Sequence, residues 1–260
     1  MTDRSEALAR ITAGHYRPGE FPALLEQIEC WRRSRPLAGL KVLDATPVFC
    51  NTVVKYQALA AAGAELTVAL ADLTPRDPAI CAALPAAGVR VLTEEVPADE
   101  TFDLILDCAA CHCRVRSRYG YVELTRSGIH RYRTLADSRP VFAADSGRIK
   151  AIETSLGTGD GFLRAMKQLG VGDFTGRRVV VFGYGKVGRG IVFYLKRAGA
   201  AVGVVDYPAV LARLPEGVAG IDAADRAAID AALADAYVAV SATGIRHAHA
   251  GHFDLARLAA

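Results

Sequence analysis

The chain has 260 residues, 52% of them hydrophobic, and its 31 basic and 28 acidic residues leave a net charge of +3. That is material for one large core or for two of about 100–150 residues each. The charges are scattered, which argues against a nucleic-acid face, and no run reaches the roughly 18 uninterrupted apolar residues of a membrane span. The opening MTDRSEALARITAGHYRPGE has no apolar export segment, so the chain reads as cytoplasmic. Its six cysteines are then thiols or ligands rather than a disulfide scaffold.

In FPALLEQIECWRRS, residues 21–34, Leu24, Leu25, Ile28 and Trp31 fall at helical spacing, and Pro36 stops the predicted helix. LKVLDA follows as a run of buried-strand type. NTVVKYQALAAAG continues as a helix, with Asn51 or Thr52 as its N-cap. The pattern repeats with ELTVAL at 65–70, a helix over 78–87, a strand over 89–92 and FDLILD at 102–107. Strands alternating with helices predict an α/β fold with a doubly wound parallel sheet. Residues 149–169 read as a helical stretch interrupted by glycines, and the domain boundary is placed near 171. This gives a substrate-type α/β domain over 1–170 and a Rossmann-type domain over 171–260.

RRVVVFGYGKVGRGIVFYLKRAGAAVGVVDY encodes strand, glycine turn, helix and strand. Gly183 allows a tight turn, Gly185 a close approach to a pyrophosphate, and Gly188 the packing of the new helix on the sheet. Lys186 and Val187 lie in the first turn of that helix, whose N-terminus points its dipole at the phosphates. Asp206 closes the second strand, where a carboxylate accepts both ribose hydroxyls and repels a 2'-phosphate, which favours NAD over NADP. A helix or two over 221–235 and a strand over 236–244 follow. That is the adenine-side half of a Rossmann domain, with an edge that makes a homodimer or higher homo-oligomer an expectation.

Several blocks together resemble the S-adenosylhomocysteine hydrolase (adenosylhomocysteinase) family. The stretch from FPALLEQIECWRRS to AAAGAEL resembles its N-terminal region, and VELTRSGIHR its cofactor loop. DSGRIKAIETSLGTGDGF resembles its catalytic lysine helix, VFGYGKVGRG its NAD turn, and SATG a later strand end. The resemblance implies bound NAD that oxidises a ribose hydroxyl, eliminates homocysteine and is regenerated. It also implies that Thr125 and Ser127 keep two of three hydroxyls facing the nicotinamide end, and that Thr243 and Gly244 keep the strand-end motif.

The proton-transfer positions depart from that pattern. Pro47 stands where the family has histidine, and Phe49 where it has threonine. Cys108 takes the place of the second of two aspartates, after Asp107. Leu124 replaces a glutamate beside Glu123, Ala151 replaces the lysine, and Glu153 an aspartate. Proline, leucine and alanine transfer no protons. The expected function is therefore an NAD-binding oxidoreductase-type enzyme acting on a different small polar substrate between the two domains. The alternatives are an inactive regulatory paralogue, true hydrolase activity, and a metal-dependent lyase or hydrolase.

Lys150 and Glu153, three apart on one helix face, read either as an acid/base pair or as a solvated ion pair. Cys108, Cys111, His112 and Cys113 follow a strand end and read as zinc ligands, as a reactive thiolate centred on Cys108, or as ordinary buried cysteines, with Cys50 able to converge on them. Arg126 reads as a substrate carboxylate clamp or a surface charge. Asn51 and Thr52, beside the substrate loop, are further substrate-binding candidates.

Overall fold

In the computed structural model, which describes residues 4–72, 74–135 and 139–243, the short apolar runs become strands covered on both faces, as a parallel sheet requires. Contacts divide the chain into two units, Met1–Gly147 and Arg148–Ala260.

The first unit opens with α1 (Arg4–Thr12) and α2 (Pro22–Ser34), followed by β1 (Lys41–Asp44), α3 (Cys50–Ala61), β2 (Glu65–Ala69) and α4 (Pro78–Ala83). Then come β3 (Arg90–Leu92), β4 (Thr101–Asp107), β5 (Arg116–Glu123), α5 (Ile129–Arg133) and β6 (Val141–Ala143). The six strands are parallel, in the order β3-β2-β1-β4-β5-β6. Strand order reverses between β1 and β4, and open α/β sheets take their ligands in the crevice beyond the carboxyl ends of such a pair. Alternation along β1 sends Val42 into a core with Leu8, Val53, Tyr56 and Leu84, and Leu43 into one with Phe102, Ile105, Tyr121 and Tyr132. The same alternation ends β1 with Asp44 on the α3 face, and β4 with Asp107 on the α5 face, where their partners Tyr56 and Tyr132 lie.

The second unit contains α6 (Arg148–Ile152), a π-helical turn over Glu153–Gly157, α7 (Thr158–Gln168), β7 (Arg178–Phe182), α8 (Lys186–Arg197) and β8 (Ala201–Asp206). It continues with α9 (Pro208–Leu211), β9 (Ala219–Asp222), α10 (Arg226–Ala234) and β10 (Val238–Ser241). Its strands are parallel in the order β10-β7-β8-β9. Phe174, Val181, Ile191, Leu195 and Val204 fill one face, and Phe182, Val205 and Ile229 the other.

The unit boundary at Gly147–Arg148 precedes the one read from sequence near 171. The reason is packing: Phe162, Leu163 and Met166 of α7 join the core under α8. A Cβ on Gly190 would lie 1.6 Å from the Ser155 carbonyl oxygen, and one on Gly159 only 2.3 Å from that of Gly190. Gly159, which looks like an interruption of a helix, is therefore part of its contact with α8, and the π turn falls at this crossing, as such turns do where a helix is under local constraint. Strands β5 and β6, which the sequence pattern does not announce, complete the first sheet. Among the described residues no helix is long and apolar enough to cross a membrane.

A methyl group forced into this crossing overpacks it, at a cost of about 1–3 kcal/mol. Gly190→Ala is expected to lower the melting midpoint by about 5–10 °C in a domain of this size. An unchanged melting curve by circular dichroism contradicts the close helix contact.

Candidate functional site

The glycine turn of unit 2 has a distinct use for each glycine. Gly183 follows β7 with φ +95, a conformation that disfavours any side chain, and a Cβ there would also lie 3.0 Å from the Thr243 nitrogen. A Cβ on Gly188 would lie 1.9 Å from the Gly183 carbonyl oxygen, so only glycine lets α8 start this close to the strand end. Gly185, the N-cap residue of α8, is exposed, and a Cβ there would meet nothing within 4 Å. Its freedom from protein contact leaves the backbone open to a phosphate at the positive end of the helix dipole. Lys186 and Val187 form the first turn, with Val187 packed toward the core.

Asp206, at the end of β8, holds the turn from the other side. Its Oδ2 accepts the Tyr184 N–H at 2.7 Å and its Oδ1 the Tyr207 N–H at 2.8 Å. Beside it lies a cavity of about 210 Å³ lined by Gly183, Asp206, Tyr207, Ala223, Ala224, Ile229 and Thr243. The walls are apolar toward Ile229 and polar toward Asp206, as an adenine and its ribose need. Gly244 lies outside the described residues.

In unit 1, three fully buried carboxylates stand at the carboxyl ends of β1, β4 and β5. Asp44 Oδ1 accepts the Thr46 N–H at 3.1 Å and the Thr46 hydroxyl at 2.7 Å, while Lys55 Nζ sits 2.5 Å from Oδ2. Asp107 Oδ1 accepts the Cys108 N–H, and its Oδ2 accepts the His112 N–H at 3.1 Å and the Tyr132 hydroxyl at 2.6 Å. Burial raises the Asp107 carboxyl and the Tyr132 hydroxyl above their ordinary ranges and lowers the His112 imidazole. Glu123 Oε1 accepts the Ala109 and Gly128 N–H groups at 3.0 and 3.3 Å, fastening the loop after β4 to the loop after β5. Ala109, Ala110 and Arg126 all take positive φ in these two loops, so backbone strain gathers at this edge.

This arrangement places the side chains that the sequence singled out. Among the described residues no three His, Cys, Asp or Glu side chains gather into a group able to hold a metal ion. Cys108, Cys111, His112 and Cys113 lie in different surroundings on a loop whose backbone donates to Asp107 and Glu123. Cys108 Sγ faces the Thr125 hydroxyl at 3.6 Å, Cys113 enters the hydrophobic core, and His112 stays beside Asp107, its Nδ1 4.0 Å from Oδ1. Burial pushes the Cys50, Cys111 and Cys113 thiols up, away from a reactive thiolate.

Thr125 and Ser127 share a hydrogen bond of 2.8 Å on the loop after β5, with exposed Arg126 between them. Helix α3 begins at Cys50, so its N-cap is Phe49 rather than Asn51 or Thr52. Thr52 instead donates to the Pro47 carbonyl oxygen at 2.8 Å and accepts the Phe49 N–H, and Asn51 is exposed. Lys150 Nζ lies 2.6 Å from Glu153 Oε2, where the Glu153 side chain is 61% exposed. A pair this open contributes about 0.2–1 kcal/mol at most. Sequence reading missed Asp44, Lys55 and Tyr132. A charged residue ending a buried strand, and a lysine on the buried side of an apolar helix, are signals that could have found the first two.

Two doubly wound parallel sheets, one ending β7 in this glycine turn, define a dinucleotide-binding protein of the Rossmann class. Residues 171–259 match a family model described as "Putative NAD(P)-binding", and unit 2 is an NAD(P)-binding domain. The chain is 31% identical over 216 residues to the adenosylhomocysteinase of Sulfurisphaera tokodaii, covering 72% of this chain and 51% of that one. It is 28% identical over 281 aligned positions to the S-inosyl-L-homocysteine hydrolase of Methanopyrus kandleri, covering 90% of this chain and 64% of that one. The fold is similar to that of a dipicolinate synthase chain from Bacillus halodurans, with a TM-score of 0.50, 16% identity, and coverage of 80% and 75% of the two chains. The chain is similar in sequence to these adenosylhomocysteinase-type proteins, and it spans about half to two thirds of their length.

Gly185→Ala is expected to leave the melting curve unchanged while weakening dinucleotide binding about tenfold or more, whereas Gly188→Ala lowers both. Equal effects of the two on stability contradict the separate uses described. Tyr132→Phe removes a buried donor to Asp107 and is expected to cost about 1–3 kcal/mol by urea denaturation. A change under about 0.5 kcal/mol contradicts that hydrogen bond.

Proposed function

We propose that this chain is an NAD-dependent oxidoreductase-type enzyme of the adenosylhomocysteinase line, acting in the cytoplasm on a small polar substrate other than adenosylhomocysteine. The reading is carried by the turn Gly183–Gly188, with its one open and two closed glycines, set against Asp206. Bound there, NAD supplies reversible hydride transfer. The first turn of α8 (Lys186, Val187, Gly188) holds the pyrophosphate, and Asp206 with Thr243 faces the adenosine ribose. A carboxylate at Asp206 favours the free 2'-hydroxyl of NAD over the phosphate of NADP. On the resemblance, Thr125, Ser127 and Gly244 belong to the cofactor set as well.

Substrate is assigned to the carboxyl edge of the first sheet, with Arg126, Asn51 and Thr52 as its polar contacts. Pro47, Phe49, Leu124, Cys108 and Ala151 occupy the positions where the family's substrate and proton-transfer groups stand, and nucleoside hydrolysis loses its proton carriers with them. Two lysine–carboxylate pairs supply proton-transfer candidates: exposed Lys150–Glu153, and Lys55–Asp44 at the sheet edge. Among the described residues β9 and β10 end the four-stranded sheet, and a homo-oligomer is part of the same reading. A catalytically silent NAD sensor is the second reading, motivated by the same lost groups.

Titration of NADH and NADPH followed by nicotinamide fluorescence is expected to give at least tenfold tighter binding of NADH, with Asp206→Ala erasing the preference. Equal affinities in the wild type, or no binding of either, sink the proposal. Incubation with adenosylhomocysteine is expected to release no homocysteine, and steady release at an enzymatic rate restores hydrolase activity over this reading.

A further inference from the structure

A second cavity of the first unit lies at the opposite end of its sheet, over the amino ends of β1 to β4. Its volume is about 290 Å³, near the lower end of the roughly 300–1,000 Å³ usual for ligand pockets, which suits a molecule of amino-acid size. Leu66, Thr67 and Phe102 form a buried floor, and the rim is charged. Arg90 closes one wall through a bidentate pair with Glu100, Nη1 to Oε1 and Nη2 to Oε2, the latter at 3.0 Å. Those two charges neutralise each other.

Three charged side chains on the same cavity stay open. Lys41 and Glu65 are register partners on β1 and β2, strands that run about 4.8 Å apart. Their side chains form no ion pair with each other or with any other described residue. Arg4 of α1 lies against Gly88, where a Cβ would come within 3.4 Å of its Nε, and its guanidinium also has no partner among the described residues. Thr67 stands two residues on from Glu65, on the same face of β2. It is only 6% exposed, and its hydroxyl makes no hydrogen bond among the described residues. Solvent satisfies a charge at a sheet end, but a buried hydroxyl without a partner is unfavourable until something polar meets it.

We propose that this cavity binds an α-amino acid with an acidic side chain. The ligand's ammonium meets Glu65, and the α-carboxylate on the adjoining carbon meets Lys41 one strand away. The second carboxylate meets Arg4, whose planar fork takes two oxygens at once. The Thr67 hydroxyl donates to a carboxylate oxygen at the floor, and the methylene groups rest on Leu66 and Phe102. Charge supports the choice. Two open cations and one open carboxylate leave +1, which a ligand with one ammonium and two carboxylates cancels. A neutral amino acid leaves a cation unmatched, and a simple dicarboxylate sets an anion against Glu65. Open α/β sheets place reacting ligands at the carboxyl ends of their strands. Lys41 opens the strand that Asp44 closes, so this ligand is bound at the far end of β1 as an effector and is not turned over.

Equilibrium dialysis of the full chain with isotopically labelled L-glutamate and L-aspartate tests the site, with glutarate, L-glutamine and propylamine as unlabelled competitors. One labelled molecule per chain is expected for at least one of the two acids. Each competitor displaces it about tenfold or more less well than the unlabelled acid does. Glu65→Gln and Lys41→Met each weaken binding about tenfold or more, with unchanged melting curves because both side chains are exposed. Glu65→Gln also removes the advantage of glutamate over glutarate. No retained label from either acid overturns the proposal. Glutarate that competes as well as glutamate on the wild type overturns the amino-acid class, and undiminished binding in both variants overturns the site.

Discussion

The approach of Gly188 to the Gly183 carbonyl is the contact on which the cofactor half of the molecule depends. With no Cβ between them, α8 starts directly at the carboxyl end of β7, and its N-terminal dipole opens where the chain has turned. Asp206 fixes the same turn through the Tyr184 N–H. The helix is pressed onto the sheet by a second close contact, at Gly190, where the helical stretch before β7 crosses it. A larger residue at either glycine separates α8 from its support, and the phosphate-binding geometry goes with it.

The first unit is governed by a different constraint, the placing of charge at the end of a buried parallel sheet. Desolvating a carboxylate costs several kcal/mol unless donors replace the lost water. Asp44, Asp107 and Glu123 meet that cost in three ways. Asp44 takes a lysine and a threonine, Asp107 takes loop N–H groups and a tyrosine, and Glu123 takes N–H groups from two loops on Oε1 while its Oε2 meets no donor among the described residues. The result is a rigid edge whose strained loops carry Cys108 and Arg126. A lysine that the sequence pattern does not single out stands beside β1, paired with Asp44.

Much of this was legible in the sequence. The βαβ unit around Gly183–Gly188 is read from strand, glycine spacing and a terminal acid, because each is a local requirement of backbone geometry. Strand β5 was not legible, since RSRYGYVE mixes arginines with a glycine and two of its buried positions, Ser117 and Glu123, are held by hydrogen bonds rather than by apolar packing. The cysteine cluster left several readings open for a related reason. Spacing along the chain allows ligands, but which surroundings each side chain meets is set by tertiary contacts, Thr125 for Cys108 and the hydrophobic core for Cys113. Lys55 was hidden inside an apolar helix, and its meaning depends on Asp44, eleven residues earlier in a strand.

The central claim is that this chain keeps NAD on the turn of unit 2. Native mass spectrometry of freshly purified protein, repeated after addition of NAD, tests it most directly. The account predicts one NAD per chain in the wild type and its loss in Gly188→Ala. A wild-type protein that stays free of dinucleotide after addition, or a Gly188→Ala variant that keeps it undiminished, contradicts the account.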